Sequence, residues 1–272
     1  MNPEIIALCE TKKADGIKED EMRDYSISEK NEKPGKEGLL VAVKKGNHKS
    51  MDEITDTELK NVMTVRIEFE KLYVRVIVGH APQETEKAEI REEFFEELSI
   101  QIERGLDSGD VLIVVGDFNA NISIDAGGNI SPGSGSPNGK KVCELLEKYQ
   151  LKVGNFHSNT TGKWTRIQKK KDKVCKSMLD FLLLSPETYH LLEKMEIDED
   201  KIYCPYREGT KCGRKEIVFS DHCVMGGDYC RHQVRNRGMR EELGLLDAMP
   251  LTGGSGLVRD WGHENRVYRT MS

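Results

Sequence analysis

The chain has 272 residues and a formal net charge of -6, with 32% charged residues. This length suits one large domain, or one domain with a tail. The acidic balance argues against bulk electrostatic binding to nucleic acid, although an enzyme that cuts nucleic acid needs only local basic contacts. No apolar run approaches the ~20 residues of a membrane span, and no signal peptide is evident. We therefore expect an intracellular protein, nuclear or cytoplasmic, whose seven cysteines are reduced.

Short apolar runs rich in β-branched residues predict strands along most of the chain. Residues 65–69 alternate between apolar and charged, which is typical of a half-buried strand, and the next run follows so closely that a hairpin is predicted. The runs at 5–8 and 111–115 do not alternate, which predicts strands covered on both faces. The predicted strands are 4–9, 39–43, 62–69, 72–78, 111–115, 178–184 and 216–219.

Two amphipathic helices are predicted, one before and one after the strand at 111–115. The helix at 84–104 has one apolar face, formed by Ile90, Phe94, Phe95, Leu98 and Ile102. The helix at 139–149 has another, formed by Val142, Leu145, Leu146 and Tyr149, and Asn138 is its expected N-cap. A mobile loop is expected at 123–138. A domain is expected at 1–225, with a linker or flexible tail at 226–272.

Acidic and amide side chains follow several of the predicted strands. Glu10 follows the first strand, Gly116-Asp117-Phe118-Asn119 follows 111–115, and Ser220-Asp221-His222 follows 216–219. Carboxylates that meet at one rim of a sheet repel one another unless a cation neutralises them, and such hard oxygen ligands suit Mg²⁺ or Mn²⁺. Taken singly, these segments could also be a solvated strand end, a turn and a helix cap.

Asp180 lies inside an apolar run, between Leu179 and Phe181. Burying a carboxylate without a partner is costly, so a partner is expected. His222 is a candidate for this partner, and an ordinary buried hydrogen bond is the alternative.

Four short motifs occur in an order and spacing that resemble a known family. They are Leu8-Cys9-Glu10-Thr11-Lys12, Gly116-Asp117-Phe118-Asn119-Ala120, Ser177-Met178-Leu179-Asp180-Phe181 and Ser220-Asp221-His222-Cys223. This set resembles the endonuclease/exonuclease/phosphatase family over residues 3–225. It is especially similar to the apurinic-type endonuclease domains of LINE-type (non-LTR) retrotransposons. The resemblance implies a four-layered α/β sandwich, in which two mainly antiparallel sheets lie face to face with helices outside. It also implies a divalent-metal-dependent phosphodiesterase, namely a DNA endonuclease of retrotransposon origin.

The resemblance also assigns roles to individual residues. Glu10 would bind Mg²⁺ or Mn²⁺, while Asp117 and Asn119 would orient the attacking water and hold the scissile phosphate. Asp180 would fix the tautomer of His222. His222 would then act as a general base or stabilise charge on the phosphate. Together these groups would provide an activated water and charge relief, which phosphodiester hydrolysis needs.

The remaining expected site residues concern the metal and DNA. Asp221 would support either the metal site or the geometry of His222. The densest basic stretch precedes Asp180, on the segment that in this family lies near the DNA-binding face, so it would contact the phosphate backbone. A solvated loop is the ordinary alternative for such a run. The lysines concerned are Lys169, Lys170, Lys171 and Lys173.

Two features depart from the family pattern. Family members begin with an internal strand that ends in a catalytic-site Asn, whereas Met1 falls just after its expected place. A missing strand would leave an exposed edge. The family usually has a phosphate-contacting Tyr after the strand at 72–78, where this chain has His80, whose charge would depend on pH. Two alternatives therefore stand beside the endonuclease: a phosphatase of the same fold, and a catalytically impaired remnant that only binds nucleic acid or protein.

Overall fold

The computed structural model describes residues 3–11, 22–31, 38–55, 59–170, 173–200, 206–211, 214–219, 222–223, 225–229 and 266–271. Only the backbone is described for residues 31, 169–170, 206–211, 214–219 and 266–271.

The first large sheet contains seven strands: β1 (Ile5–Cys9), β2 (Tyr25–Asn31), β3 (Gly38–Lys44), β11 (Thr160–Thr161), β15 (Leu192–Ile197), β18 (Met225–Tyr229) and β19 (Arg266–Met271). Their order across the sheet is β11, β15, β18, β19, β1, β3, β2. β1 pairs with β3 on one side and, in parallel, with β19 on the other. The exposed edge expected beside the first strand is therefore not found.

The predicted domain boundary at 225/226 falls within β18. β19 lies inside the segment expected to be a linker or tail, and its backbone pairs with both β1 and β18. The division of the chain into a domain at 1–225 and a tail at 226–272 stays a prediction for the residues between these two strands.

The second large sheet contains six strands: β4 (Ser50–Ile54), β5 (Val62–Glu68), β6 (Tyr73–His80), β7 (Val111–Asp117), β10 (Lys152–Val153) and β14 (Asp180–Leu184). Their order is β10, β14, β7, β6, β5, β4. β5 and β6 form the predicted antiparallel hairpin. β6 and β7 run parallel, because the chain crosses between them through a helix, whereas β14 runs antiparallel to β7.

Three small hairpins complete the strands of the described residues: β8 (Ile122–Ile124) with β9 (Ile130–Pro132), β12 (Arg166–Lys170) with β13 (Lys173–Ser177), and β16 (Tyr206–Lys211) with β17 (Arg214–Phe219). The stretch at 123–138 was expected to be a loop, but β8, β9 and the start of a helix take up much of it. Gly127 and Gly128 form the turn between the strands and did not prevent pairing.

The helices are α1 (Ala88–Asp107), α2 (Pro137–Lys148) and α3 (Pro186–Tyr189), with a 3₁₀ turn at Gly154–Phe156. The predicted apolar face of α1 is buried except for Ile90, which is 44% exposed in the first turn. The N-cap of α2 is Ser136, whose Oγ accepts a hydrogen bond from the Gly139 backbone N–H, so the expectation for Asn138 was wrong. Within the described residues, no helix is both long and apolar enough to cross a membrane.

Apolar side chains fill two interiors. One lies between the sheets and includes Ile5, Ala7 and Cys9 of β1, while Ile6 and Leu8 are only half-buried. β1 therefore alternates, contrary to the prediction from its sequence, whereas β7 is buried on both faces as predicted. The other interior joins the second sheet to α1 and α2. The fold is thus the predicted α/β sandwich, with mainly antiparallel sheets face to face and a helical layer outside the second.

A buried ion pair ties the start of β7 to its neighbours, at the opposite end of the strand from Asp117. Asp110, whose side chain is 2% exposed, accepts two hydrogen bonds of 2.9 Å from Arg66 and one of 3.2 Å from Arg75. Burial by itself would raise the Asp110 pKa. The hydrogen bonds from Arg66 and Ser108 and the charges of both arginines outweigh it, so the pKa lies below its ordinary value.

Asp110→Asn is expected to lower the free energy of unfolding at pH 7 by about 1.5–3 kcal/mol, because charge-assisted hydrogen bonds are lost. The depressed pKa of Asp110 means that its contribution is present above the unfolded-state pKa of about 3.9 and is lost as pH falls through the folded-state value. Urea unfolding at pH 7 and pH 3 measures both effects, with exposed Asp107→Asn as the control. A stability difference that is no smaller at pH 3 would contradict this role.

Candidate active site

Strand register brings three polar side chains to one rim of the second sheet. Asp117 ends β7, and its partner in the antiparallel register is Asp180, the first residue of β14. On the other side, its partner in the parallel register is His80, the last residue of β6. The exposed fractions are 3% for Asp117, 0% for Asp180 and 6% for His80. The rim is therefore a buried polar cluster within an otherwise apolar sheet.

His222 approaches this rim from the segment just before β18, where its backbone forms an isolated bridge with Arg166. Its Nδ1 lies 3.0 and 3.2 Å from the two carboxylate oxygens of Asp180, and its Nε2 lies 3.9 Å from Oδ2 of Asp117. One ligand atom from each of the three residues lies within 4.8 Å of the others. The partner that the sequence suggested for Asp180 is in place, although 42 residues separate it from His222.

Asn119 is held in a strained but ordered turn directly after β7. Its φ of 43° is in the left-handed region, which Asn tolerates better than most residues. The Asn119 backbone N–H donates to Oδ1 of Asp117 at 2.8 Å, and its side-chain Nδ2 donates to the Ala81 carbonyl at 2.9 Å. These bonds join the loop after β7 to the loop after β6.

Glu10 and His80 form a second pair at the rim. His80 Nε2 lies 3.5 Å from Oε1 of Glu10, whose side chain is 24% exposed. Glu10 has a φ of 55°, which costs a residue with a Cβ roughly 1 kcal/mol. Contacts of the surrounding fold therefore compensate the cost of this left-handed backbone at the residue that follows β1.

The close pairing of β6 and β7 at the rim requires glycine. A Cβ added at Gly116 would lie 1.9 Å from the carbonyl oxygen of Gly79 on the neighbouring strand. The glycine before Asp117 is thus needed by the backbone, which explains this part of the motif in physical terms.

Two buried asparagines support the site and were not recognised from the sequence. Asn138 Nδ2 lies 2.9 Å from the Pro82 carbonyl, 3.1 Å from that of Phe118 and 3.2 Å from that of Asn119. Asn155 donates from Nδ2 to the Asp180 carbonyl at 2.9 Å and accepts at Oδ1 from the backbone N–H of Leu182 at 2.9 Å. An isolated Asn in a helix start or a turn gives no sequence signal for such a contact.

The other expected site residues are placed less fully. Lys169 and Lys170 are described as backbone in β12, and Lys173 is exposed in β13. Lys171 and Asp221 lie outside the described residues.

The donors of the rim fit a hard divalent cation. Two buried carboxylates, Asp117 and Asp180, share one imidazole, and a third carboxylate, Glu10, lies beside His80. Adjacent buried carboxylates require a positive charge nearby, and carboxylate oxygens suit Mg²⁺ or Mn²⁺. Among the described residues, Asp117, Asp180 and His222 have ligand atoms close enough together to hold such an ion.

This chain belongs to the Endonuclease/Exonuclease/phosphatase family, whose model matches residues 1–222. The fold and the residues at the rim agree with that membership. A comparison with curated protein sequences finds no match.

Several solved structures share the fold. The 3' phosphatase NExo from Neisseria, bound to a product DNA hairpin, has a TM-score of 0.60 and 16% identity, over 84% of this chain and 89% of that chain. The 3'-5' exonuclease NExo from Neisseria meningitidis has a TM-score of 0.59, again at 16% identity and with the same coverage. The endonuclease domain of TRAS1, a telomere-specific non-LTR retrotransposon, has a TM-score of 0.51 and 14% identity, over 80% of this chain and 98% of that chain.

Asn138→Ala is expected to destabilise the fold by about 1–3 kcal/mol, because it removes a buried donor from three carbonyl groups. Loosening the loop that holds Asp117 and Asn119 should also weaken Mn²⁺ binding. Urea unfolding and calorimetric Mn²⁺ titration measure the two effects. The matched control is Asn129→Ala, since Asn129 is exposed and bonds only within the turn after β8. Equal effects of the two substitutions would contradict the role of Asn138.

Proposed function

We propose that this chain is a divalent-metal-dependent phosphodiesterase that cuts DNA as an endonuclease and derives from a retrotransposon. The observation that carries the proposal is the Asp180–His222 pair, with the second imidazole nitrogen directed at Asp117. A fully buried carboxylate that orients an imidazole beside another carboxylate is an arrangement suited to acid–base catalysis.

The hydrogen bond to Asp180 determines which nitrogen of His222 reacts. Asp180 accepts from Nδ1–H, so the neutral ring presents the lone pair of Nε2 towards Asp117. The 3.9 Å between Nε2 and Oδ2 of Asp117 is too long for a direct hydrogen bond, but one oxygen atom can bond to both groups. We assign this position to the attacking water or to a phosphate oxygen, with His222 as base or as a donor that stabilises charge.

Other residues of the rim would bind the phosphate. Asn119 uses one amide hydrogen to bond Ala81, and its second hydrogen can donate to a phosphate oxygen. Nε2 of His80, which lies 3.5 Å from Oε1 of Glu10, can donate to a phosphate oxygen. Mg²⁺ or Mn²⁺, when bound by Glu10 and Asp117, supplies charge relief at the phosphate.

The β12–β13 hairpin supports DNA as the substrate. It projects from the site, because Asp180 follows β13 by three residues and Arg166 of β12 forms a backbone bridge with His222. Lys173 and Lys176 are exposed along it, and Lys176 pairs with Glu199 at 3.4 Å, so the hairpin carries cationic side chains close to the site. The motif contexts after β1 and β7 favour a retrotransposon endonuclease, and TRAS1 shares the fold.

Plasmid nicking tests this proposal directly. Purified protein with Mg²⁺ is expected to convert supercoiled plasmid to the open circular form, and EDTA should abolish the reaction. Asp117→Asn and His222→Ala should each lower the nicking rate by at least about 10²-fold, because each removes a group that orients water or transfers a proton.

Asp125→Asn is the matched control, since Asp125 is an exposed acid in the turn after β8. It should nick as the wild type does. Equal nicking by the wild type and both site variants would indicate a contaminant and reject the proposal. No nicking, combined with release of phosphate from a 3'-phosphorylated oligonucleotide, would favour the phosphatase alternative. No activity on either substrate would favour the remnant.

The basic hairpin gives a separate prediction. Lys173→Ala and Lys176→Ala are each expected to raise KM for DNA, with little change in kcat, because the side chains contact phosphate. Each lost contact should reduce the slope of log KM against log salt by about 0.9. Lys148→Ala at the far end of α2 is the control and should leave the slope unchanged. Unchanged slopes in both hairpin variants would show that these lysines do not contact DNA.

A further inference from the structure

The two members of the Asp180–His222 pair lie in separate segments, and only Asp180 is part of a large sheet. Asp180 opens β14 in the second sheet, whereas His222 precedes β18 in the first. The sheets pack through apolar side chains, which fill space but do not specify the relative position of two strand ends. Some additional contact must therefore set the 3.0 Å spacing between Nδ1 and the carboxylate.

Thr165 makes hydrogen bonds to both segments. It is 0% exposed, and its Oγ1 accepts from the backbone N–H of Leu179 at 3.0 Å and from that of Asp180 at 3.1 Å. Its carbonyl accepts from the backbone N–H of Cys223 at 2.6 Å. One buried residue thus bonds to the residue that carries the carboxylate and to the neighbour of the imidazole.

The segment that carries Thr165 is itself anchored. Oε1 of Glu199 accepts from the backbone N–H of Lys163 at 2.6 Å and from that of Trp164 at 3.1 Å. On its other side, Arg166 forms the isolated backbone bridge with His222. Contacts of the residues before and after Thr165 therefore fix its place. Its own hydrogen bonds then define the positions of Asp180 and Cys223.

We propose that Thr165 is a positioning residue that sets the distance and orientation of the Asp180–His222 pair; this inference rests on the proposed phosphodiesterase function. The hydroxyl is the essential group, because its oxygen accepts from two adjacent backbone N–H groups, that of buried Asp180 and that of partly buried Leu179 just before β14. Without it, Asp180 moves relative to His222, and the imidazole is no longer directed at Asp117.

An isosteric substitution isolates the hydroxyl. Thr165→Val keeps the volume and removes Oγ1, and Thr165→Ser restores the oxygen without the methyl group. In the plasmid assay, Thr165→Val is expected to lower kcat by about 10- to 100-fold with little change in KM, since misplacing a catalytic group slows chemistry rather than binding. Thr165→Ser should recover most of the lost kcat.

Thr64→Val is the matched control. Thr64 is also 0% exposed, and its hydroxyl donates to Gln101 at the interface with α1. It should lower the melting temperature as Thr165→Val does, while leaving kcat unchanged. If both variants lower kcat equally, or if Thr165→Val changes only the melting temperature, the positioning role is rejected.

Amide hydrogen exchange separates this inference from the proposed function. Slow exchange at Asp180 and Cys223 in the wild type and in Thr165→Ser, with exchange at least about tenfold faster in Thr165→Val, supports the link even if no DNA is cut. Equal exchange rates in all three proteins would overturn it. Loss of nicking in the wild type would reject the phosphodiesterase and leave the exchange result to decide the link.

Discussion

Two buried carboxylates stand side by side where β7 and β14 meet. Asp117 and Asp180 are register partners, and neither has appreciable contact with solvent. Such a pair is unstable unless positive charge or hydrogen-bond donors compensate it. The compensation comes from His222 and from the backbone N–H of Asn119, and a divalent cation would add to it. The surrounding loops and strand ends can be understood as the means of holding these groups together.

The supporting contacts are mostly hydrogen bonds to backbone groups. Asn138 joins the loops after β6 and β7, Asn155 holds β14, and Thr165 joins β14 to the segment of His222. Each of these side chains is buried, so each bond excludes water and restricts the chain more than a surface contact would. The reacting side chains are short, and their precision depends on this shell of backbone contacts.

The first sheet has a different role in the same site. It contributes Glu10 at the end of β1 and His222 before β18, while β19 pairs between these two strands. The positions of Glu10 and His222 thus both depend on the strand pairing formed by residues 266–271. Since a central strand supplies hydrogen bonds on both sides, its removal affects both neighbours together.

Four strands of the second sheet, β5, β6, β7 and β14, and both long helices could be predicted from the sequence, because apolar runs and a 3.6-residue period report local burial. The short strands β4 and β10 were not predicted. The same local patterns located Asp117, Asp180 and His222. They could not show that β19 pairs beside β1, that Ser136 caps α2, or that Asn138 and Thr165 hold the site. Apart from the local Ser136 cap, those contacts join residues far apart in the chain, and their specificity lies in distance and direction. The sequence alone therefore determined which chemical groups are present, and the tertiary structure decided which of them meet, because only the packed sheets bring distant strand ends within hydrogen-bond reach.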